Sequence, residues 1–448
     1  MSLIIKWKNV AAATLVVMSL SACGSKRYAV QYAPSSPVTG ISQEQTHEII
    51  SATYDSTADD LHSVIESIQD SSTQQAEPES WDGMMQKKLD SLCNSAICET
   101  SDLGVFIYDI TAGRPLFAHH ARHRLRPASC QKLITCITLL DRIDGGEKLN
   151  TEVRVTGKQT EGTLEGDVYL AGDMDPMLST DNLKELATRL HQSGIDSIAG
   201  NIYELLPTYE VLPYGWGWCW DDEYGPLAAH LVNGTEGIHT AWIDALKKAE
   251  IKLQNENVTE VKSQEDATVL SFNLGHSICD VMNPLLKKSD NIYAECLFYR
   301  LAAMSKHAKT ARHQAAAQID SLITRLGLHP KDYLIADGSG LSLYNYTTPE
   351  LLVTMLNHAY QTESIKQYLW ACLPVAGVDG TLEHRMRGTA CQGNVHAKTG
   401  TVEGVSSLSG YLTASNGHQM SFSIINQGIV RTRTGHAFQD AVCTLLCR

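Results

Sequence analysis

Residues 127–140 constrain the fold of this chain most strongly. Pro127-Ala128-Ser129-Cys130-Gln131-Lys132 leads directly into the apolar run Leu133-Ile134-Thr135-Cys136-Ile137-Thr138-Leu139-Leu140. Proline is at home in the first turn of a helix, where its missing N–H has no partner to lose, so a helix is expected to start near Pro127 or Ser129. Ser129 and Lys132 then stand three apart on one face of its first turn. A hydroxyl beside an amine, at the positive end of a helix, suits a serine nucleophile deprotonated by a neutral lysine. Upstream, 103–110 reads as a strand, Thr111-Ala112-Gly113-Arg114 as its turn and 115–119 as a second strand. A hairpin that runs straight into a helix is an α+β signature rather than a βαβ one.

With 448 residues, 43% hydrophobic and 19% charged, the chain has room for about two or three domains and a substantial core. A formal charge of −14 argues against a nucleic-acid partner, which calls for a basic face. Lys6 and Lys8 precede an apolar stretch over 10–20, too short for a comfortable membrane span, which reads as the core of a signal peptide. It ends in Leu20-Ser21-Ala22-Cys23-Gly24, which resembles a bacterial lipobox, a signal whose cysteine is lipidated and becomes the new N-terminus. Residues 1–23 are therefore expected to be a lipoprotein signal. The mature protein is expected to begin at Cys23, held to the membrane by lipid in the bacterial cell envelope and facing the periplasm. Residues 24–80 are polar and rich in Ser, Thr, Gln and Asp, and read as a tether with a weak helix over 43–69.

Of twelve cysteines, eleven remain once Cys23 is set aside, and an odd number in an oxidising compartment leaves at least one free thiol. Cys93 and Cys98 are spaced to close a small loop, whereas Cys130 and Cys136 read as small core residues. No Cys-x-x-Cys or Cys/His array has zinc spacing, and His119, His120 and His123 sit in a basic run that makes a poor metal site. Neither metal nor cofactor is expected.

A helix is expected over 84–92. Residues 150–268 differ in character: short strands over 152–155 and 166–170, a helix over 181–193, and the turn cluster Gly172-Asp173-Met174-Asp175-Pro176, where Asp and Pro favour a turn over a metal site. This block reads as a mostly β inserted domain. Within it, Trp216, Trp218 and Trp220 alternate and would share one face of a strand. They read either as an aromatic platform for substrate or, the favoured alternative, as a packed seam between domains. Helices are then expected over 291–304, 312–326, 348–360 and 365–371, strands over 394–401, 406–413 and 419–426, and a last helix over 434–447. The closing strands would complete the sheet begun at Leu103, so 81–149 and 269–448 would form one domain interrupted by 150–268.

Two tripeptides extend the first motif: Ser289-Asp290-Asn291 ahead of a helix, and Lys398-Thr399-Gly400 in an extended stretch. Ser-x-x-Lys, Ser-x-Asn and Lys-Thr-Gly, in that order, are the motifs of penicillin-binding proteins and class A β-lactamases. With 217–222, 337–342 and 373–382 added, the chain resembles the class C low-molecular-mass penicillin-binding proteins, the D-Ala-D-Ala carboxypeptidase/endopeptidases of the S13 peptidase family. The resemblance implies a β-lactamase/transpeptidase-like antiparallel sheet flanked by helices, with an insertion between the first two motifs; 289 − 129 = 160 residues leave room for it.

It also implies the chemistry: serine DD-peptidase action on peptidoglycan stem peptides, releasing terminal D-Ala or cleaving D-Ala cross-links, with β-lactam antibiotics as covalent inhibitors. Ser129 would attack the penultimate D-Ala carbonyl. Lys132 would be the base, made neutral by desolvation or by a neighbouring cation such as Lys398. Ser289 would relay a proton to the leaving amine, and Asn291 would bond the substrate backbone or hold Lys132. Lys398 would also take the substrate carboxylate, with Gly400 clearing space for a peptide added along the strand. The N–H groups of Ser129 and Thr401 would form the oxyanion hole. Thr399 and Thr401 fall on the opposite face from Lys398 and reach substrate only from a twisted edge strand. The competing readings are a β-lactamase or esterase on the same scaffold, disfavoured because no deacylating glutamate stands near a motif, and a non-catalytic wall-binding lipoprotein.

Overall fold

The hairpin that precedes Ser129 is in place. The computed structural model describes residues 80–448 apart from 220, 221, 223–225, 236, 265–271 and 306–309; Cys23, the helix expected over 43–69 and Trp220 lie outside the described residues. Helix α1 (Trp81–Cys93) is capped by the Ser80 hydroxyl, which accepts from the Gly83 N–H. Strands β1 (Asp102–Asp109) and β2 (Arg114–His119) pair antiparallel and deliver the chain to α2 (Gln131–Leu140), all of whose residues are buried.

A second sheet follows, built from β3 (Lys148–Val155), β4 (Val168–Gly172), β5 (Ile202–Leu205), β6 (Val258–Val261) and β7 (Phe272–Ser277), in the order β6-β5-β4-β3-β7. Helices α3 (Thr180–Gln192) and α4 (Ile238–Lys248) bury Leu183, Leu186, Leu190, Trp242 and Leu246 against its Val153, Val168, Leu170 and Ile202. Its last strand lies beyond the boundary at 268/269 expected from sequence, because β7 pairs antiparallel with β3 and so brings the chain back beside its point of departure.

The chain then forms α5 (Ile278–Lys287), α6 (Asn291–Ala303), α7 (Ala311–Arg325), α8 (Pro349–Gln361) and α9 (Glu363–Cys372), followed by β8 (His396–Val402), β9 (Val405–Thr413), β10 (Gln419–Gln427) and α10 (Thr432–Cys447). The first sheet has the order β8-β9-β10-β1-β2, antiparallel throughout, so the closing strands do complete the sheet begun at Leu103. Both of its faces are covered. Tyr411 and Ile425 meet the core of α2, α5, α6, α7 and α8, while Leu408, Leu412, Phe422 and Ile424 meet α1 and α10. Each such side chain contributes about 1.5–3 kcal/mol on burial. The architecture is α+β.

Of these helices, α4 and α5 lie outside the sequence expectations. Pro284 argues against a helix in α5, yet a capping box between Ser277 and Asp280 starts it. The tryptophan strand is a correction. Residues 211–219 hold no strand, Trp216 and Gly217 make a turn, and Gly217 has φ +83°, so alternation along a strand does not apply to Trp216 and Trp218.

Candidate active site

The expected helix start resolves into two pieces. Ala128–Cys130 make a single 3-10 turn carrying Ser129, and the α-helix begins at Gln131. Ala128 has φ +45°, a conformation L-residues seldom adopt, so neighbouring contacts must hold it. The Ser407 hydroxyl donates to the Pro127 carbonyl at 2.6 Å, and the Cys130 thiol donates to the Lys398 carbonyl at 3.2 Å. Cys130 thus ties the nucleophile turn to β8 as well as packing beneath it. A β-carbon on Gly340 would lie 1.8 Å from the Ala128 carbonyl oxygen. One on Gly400 would lie 2.7 Å from the Pro127 carbonyl oxygen and 2.9 Å from the Ser129 nitrogen. Gly400 therefore also clears space for the nucleophile turn, beside the room expected there for a substrate backbone.

Lys132 is wholly buried, and its ammonium meets three neutral oxygens: Ser129 Oγ at 2.8 Å, Asn291 Oδ1 at 2.5 Å and the Ser339 carbonyl at 2.8 Å. Burial, without an ion pair to offset it, lowers its pKa to about 8, although the carboxylates of Asp337, Glu295 and Asp290 act in the opposite direction. Desolvation is therefore what loosens the proton, where sequence had also offered the Lys398 cation. Lys398 is equally buried and is lowered to about 7, first by desolvation and then by the charge of Lys132.

Lys398 donates to Ser289 Oγ at 2.8 Å and to the Thr399 carbonyl at 2.7 Å. Ser289 sits in the short link between α5 and α6 with φ +63°, a strained position at which its hydroxyl meets Lys398. Asp290 caps α6, accepting from the Tyr293 N–H, as a turn or cap residue should. Ser129 and Ser289 are half-buried, Asn291 is buried and Thr401 is exposed. The Thr399 hydroxyl is engaged by Thr381 at 2.7 Å. One cleft thus gathers Ser129, Lys132, Ser289, Asn291 and Lys398, while Thr399, Gly400 and Thr401 line up along β8.

Below Lys132 lies a layer that sequence reasoning missed. Glu295 is one turn beyond Asn291 and 2% exposed, and its Oε1 accepts from the N–H groups of Gly338 at 3.0 Å and Ser339 at 2.8 Å. Burial and the neighbouring Asp337 raise its pKa to about 8. A glutamate therefore does stand beside the Asn291 motif, but both of these bonds face inward to the loop that supplies the Ser339 carbonyl. Asp337 organises the same loop. It accepts from the Gly340 and Ser342 N–H groups, the Ser339 hydroxyl, the Asn345 amide and, at 3.0 Å, the Trp218 indole N–H. A lone acid among Ile292, Ala294, Cys296, Leu297 and Phe298 was the available signal for Glu295. Trp216 is 43% exposed and packs on Tyr344 and under the Arg312 guanidinium. Among the described cysteines none is bridged, so the loop closure offered by Cys93 and Cys98 is not formed.

The sequence pattern of the D-Ala-D-Ala carboxypeptidase 3 (S13) family matches residues 85–236 and 229–448, well over half of the chain. The chain belongs to this family. It is a serine-type D-Ala-D-Ala carboxypeptidase. The D-alanyl-D-alanine carboxypeptidase of Actinomadura sp. (strain R39) is 26% identical over 439 residues, spanning 77% of this chain and 81% of that one. The crystal structure of penicillin binding protein 4 from Haemophilus influenzae has the same fold, with a TM-score of 0.71 at 20% identity over 79% of this S13 peptidase and 97% of that chain. The penicillin G acylated predatory endopeptidase Bd3459 of Bdellovibrio bacteriovorus, solved with an immunity protein, matches with a TM-score of 0.51 at 16% identity over 76% and 91%.

Proposed function

We propose that Ser129 is the nucleophile, Lys132 its base, Ser289 the proton relay, Asn291 the group that orients Lys132, and Lys398 the anchor for the substrate carboxylate, with Thr399, Gly400 and Thr401 forming the strand along which the peptide lies. The observation that carries this reading is the set of partners around Lys132 Nζ. Two of them, Asn291 Oδ1 and the Ser339 carbonyl, have no proton to give. When Lys132 is neutral, the hydroxyl of Ser129 is the partner able to donate to its lone pair. The contact set therefore aims the base at the nucleophile.

The steps follow. Ser129 Oγ bonds to the penultimate D-Ala carbonyl carbon as its proton passes to Lys132. The tetrahedral oxyanion is held by the N–H groups of Ser129 and Thr401. Collapse breaks the C–N bond, and the leaving amine takes a proton from Ser289, which regains one from the Lys398 ammonium bonded to it. The proton taken by Lys132 then passes across the cleft to Lys398, so that both lysines return to their starting forms. Water then attacks the acyl ester, its proton passing to Lys132, and as the acyl C–Oγ bond breaks Lys132 returns that proton to Ser129 Oγ, releasing the acid and leaving Lys132 neutral. A β-lactam takes the same first step, but its amine stays tethered after ring opening, which obstructs water. Penicillin acylation in the relative Bd3459 supports the same fate here.

The basic flank, the apolar stretch over 10–20 and the lipobox at Cys23 support a lipid-anchored envelope location facing the periplasm. A Cys23→Ser variant would move from the membrane to the soluble fraction; retention in the membrane would count against the anchor. For the chemistry, the protein is incubated with labelled penicillin and then with cross-linked muropeptide, comparing wild type and Ser129→Ala. A Ser129-dependent adduct, with release of D-Ala or monomer, is the expected result. Rapid penicillin turnover without peptide cleavage would indicate a β-lactamase, and an adduct on Ser129→Ala would refute the nucleophile.

A further inference from the structure

Far from Ser129 in sequence, the second sheet holds a group of side chains that the peptidase chemistry does not use. Glu204 on β5 and Glu260 on β6 are direct partners in the parallel register, so their carboxylates leave the same face of neighbouring strands. Like charges placed directly opposite one another destabilise a sheet. Here they converge with a third group. His239, in the first turn of α4, brings Nε2 within 2.6 Å of Glu204 Oε2, and donor atoms of Glu204, His239 and Glu260 all lie within 4.8 Å of one another.

Glu204 is fixed from behind. The other oxygen of its carboxylate, Oε1, meets Nδ1 of His230 at 2.7 Å, and the His230 side chain is only 1% exposed. Among the described residues, Nε2 of His230 has no hydrogen-bond partner, and it lies where a β-carbon on Gly172 would come within 2.8 Å. Burying an imidazole with one nitrogen unpaired costs stability, so this histidine is held in place for what its Nδ1 does. What it does is lock the orientation of a carboxylate, as outer groups do for metal-binding ones. The opposite side of the cluster is open. His239 is 40% exposed at its side chain, Glu260 is exposed, and the three groups line a cavity of about 610 Å³.

We propose that Glu204, His239 and Glu260 bind a zinc ion, with His230 as the positioning residue behind Glu204. Two carboxylate oxygens and one imidazole nitrogen suit zinc, since an imidazole donor disfavours calcium and magnesium. Three protein donors leave a fourth position for water or an anionic ligand entering from the cavity. Binding replaces the hydrogen between His239 Nε2 and Glu204 Oε2 by the cation. The proton is released to solvent, or moves to Nδ1 of His239 through solvent. The ion would also tighten a clasp, because Glu204 and His230 close the segment that carries Trp218 to Asp337 in the active-site loop.

The test uses full-length protein, stripped of metal and kept reduced, titrated with zinc sulfate in competition with a chromophoric chelator. One zinc per chain is expected, with a Kd of about micromolar or tighter. His239→Ala and Glu204→Gln should each weaken it by roughly ten- to hundredfold or more, and Glu260→Gln by less. Cobalt(II) in place of zinc should give weak visible bands without thiolate charge transfer, which separates this site from the protein's cysteines. Circular dichroism reports folding of each variant, and the partly exposed His239 keeps the test valid if Glu204→Gln fails to fold. Absence of saturable zinc binding, binding unchanged in His239→Ala, or a thiolate signature with cobalt would each overturn the proposal and leave the cluster as a hydrogen-bonded ion pair.

Discussion

Two buried charge clusters in this molecule are built on opposite plans. In the cleft, Lys132 and Lys398 meet hydroxyls, an amide oxygen and backbone carbonyls, all neutral. In the second sheet, buried Glu204 meets two imidazoles, and its pKa is lowered on balance because their hydrogen bonds and charges outweigh its burial. Neutral partners satisfy hydrogen bonding without returning the Coulomb energy lost on leaving water, so desolvation brings the lysines to about 8 and about 7. Partners able to carry the opposite charge hold a group in its ionised form. A site that must move protons near neutral pH needs the first arrangement, and a site that must stay anionic needs the second.

The comparison can be broken at several points. The largest effect is expected from Ser129→Ala, which should abolish labelling by penicillin, since the ester has no oxygen to form on, and lower D-Ala release about 10⁴-fold or more, the residual rate coming from binding and the oxyanion hole alone. Lys132→Arg keeps the charge and cannot lose the proton. It should slow acylation by about 10²–10⁴-fold in protein that circular dichroism shows to be folded, and normal labelling would remove the lysine from the role of base. The pH profile is a finer probe. Lys132 must be neutral while Lys398 stays charged, and with Lys398 at about 7 and Lys132 at about 8 that form is the minor one of the singly protonated pair. For carboxylate-bearing substrates kcat/KM should therefore rise up to about pH 7 and fall above about pH 8. The outcome is a narrow bell, and an ester substrate without the carboxylate should lose the alkaline limb. Glu204→Leu should lower stability by about 1–3 kcal/mol in denaturant titration, by leaving the buried Nδ1 of His230 unpaired. Trp218→Phe removes one donor from buried Asp337. It should cost about 1 kcal/mol and lower kcat/KM only a few-fold; no change in either would show that the loop is held without it.

The legible part of the fold was the part with local signals. The alternation of Leu103, Val105 and Ile107 marks β1, and a continuous apolar run marks α2. The tripeptides at 289–291 and 398–400 are fixed strings that can be recognised without knowing where they meet. Less legible were positions whose meaning comes from a distant partner. Gly400 reads as space for substrate, and its closeness to the Ser129 nitrogen appears only once the nucleophile turn is placed against it; alternating tryptophans read as a strand until Gly217 turns the chain. Glu295 reads as one acid in an apolar helix, and becomes informative once the Gly338–Ser339 backbone is seen to need an acceptor there.

The sequence by itself determined which groups this protein has for acyl transfer, their order along the chain, and that a separate block of strands must stand between the first two motifs. These are properties of residue type and spacing. The tertiary structure alone decided the electrostatics. Whether Lys132 is a base depends on how dry its surroundings are and whether its partners can carry charge. Both conditions are set by Asn291 and Ser339, lying 159 and 207 residues away along the chain. The same holds for Glu204 and Glu260, an unremarked pair of acids in sequence that parallel register places side by side. Short-range preferences write themselves into a chain locally, but desolvation and Coulomb energy depend on distances that only folding fixes.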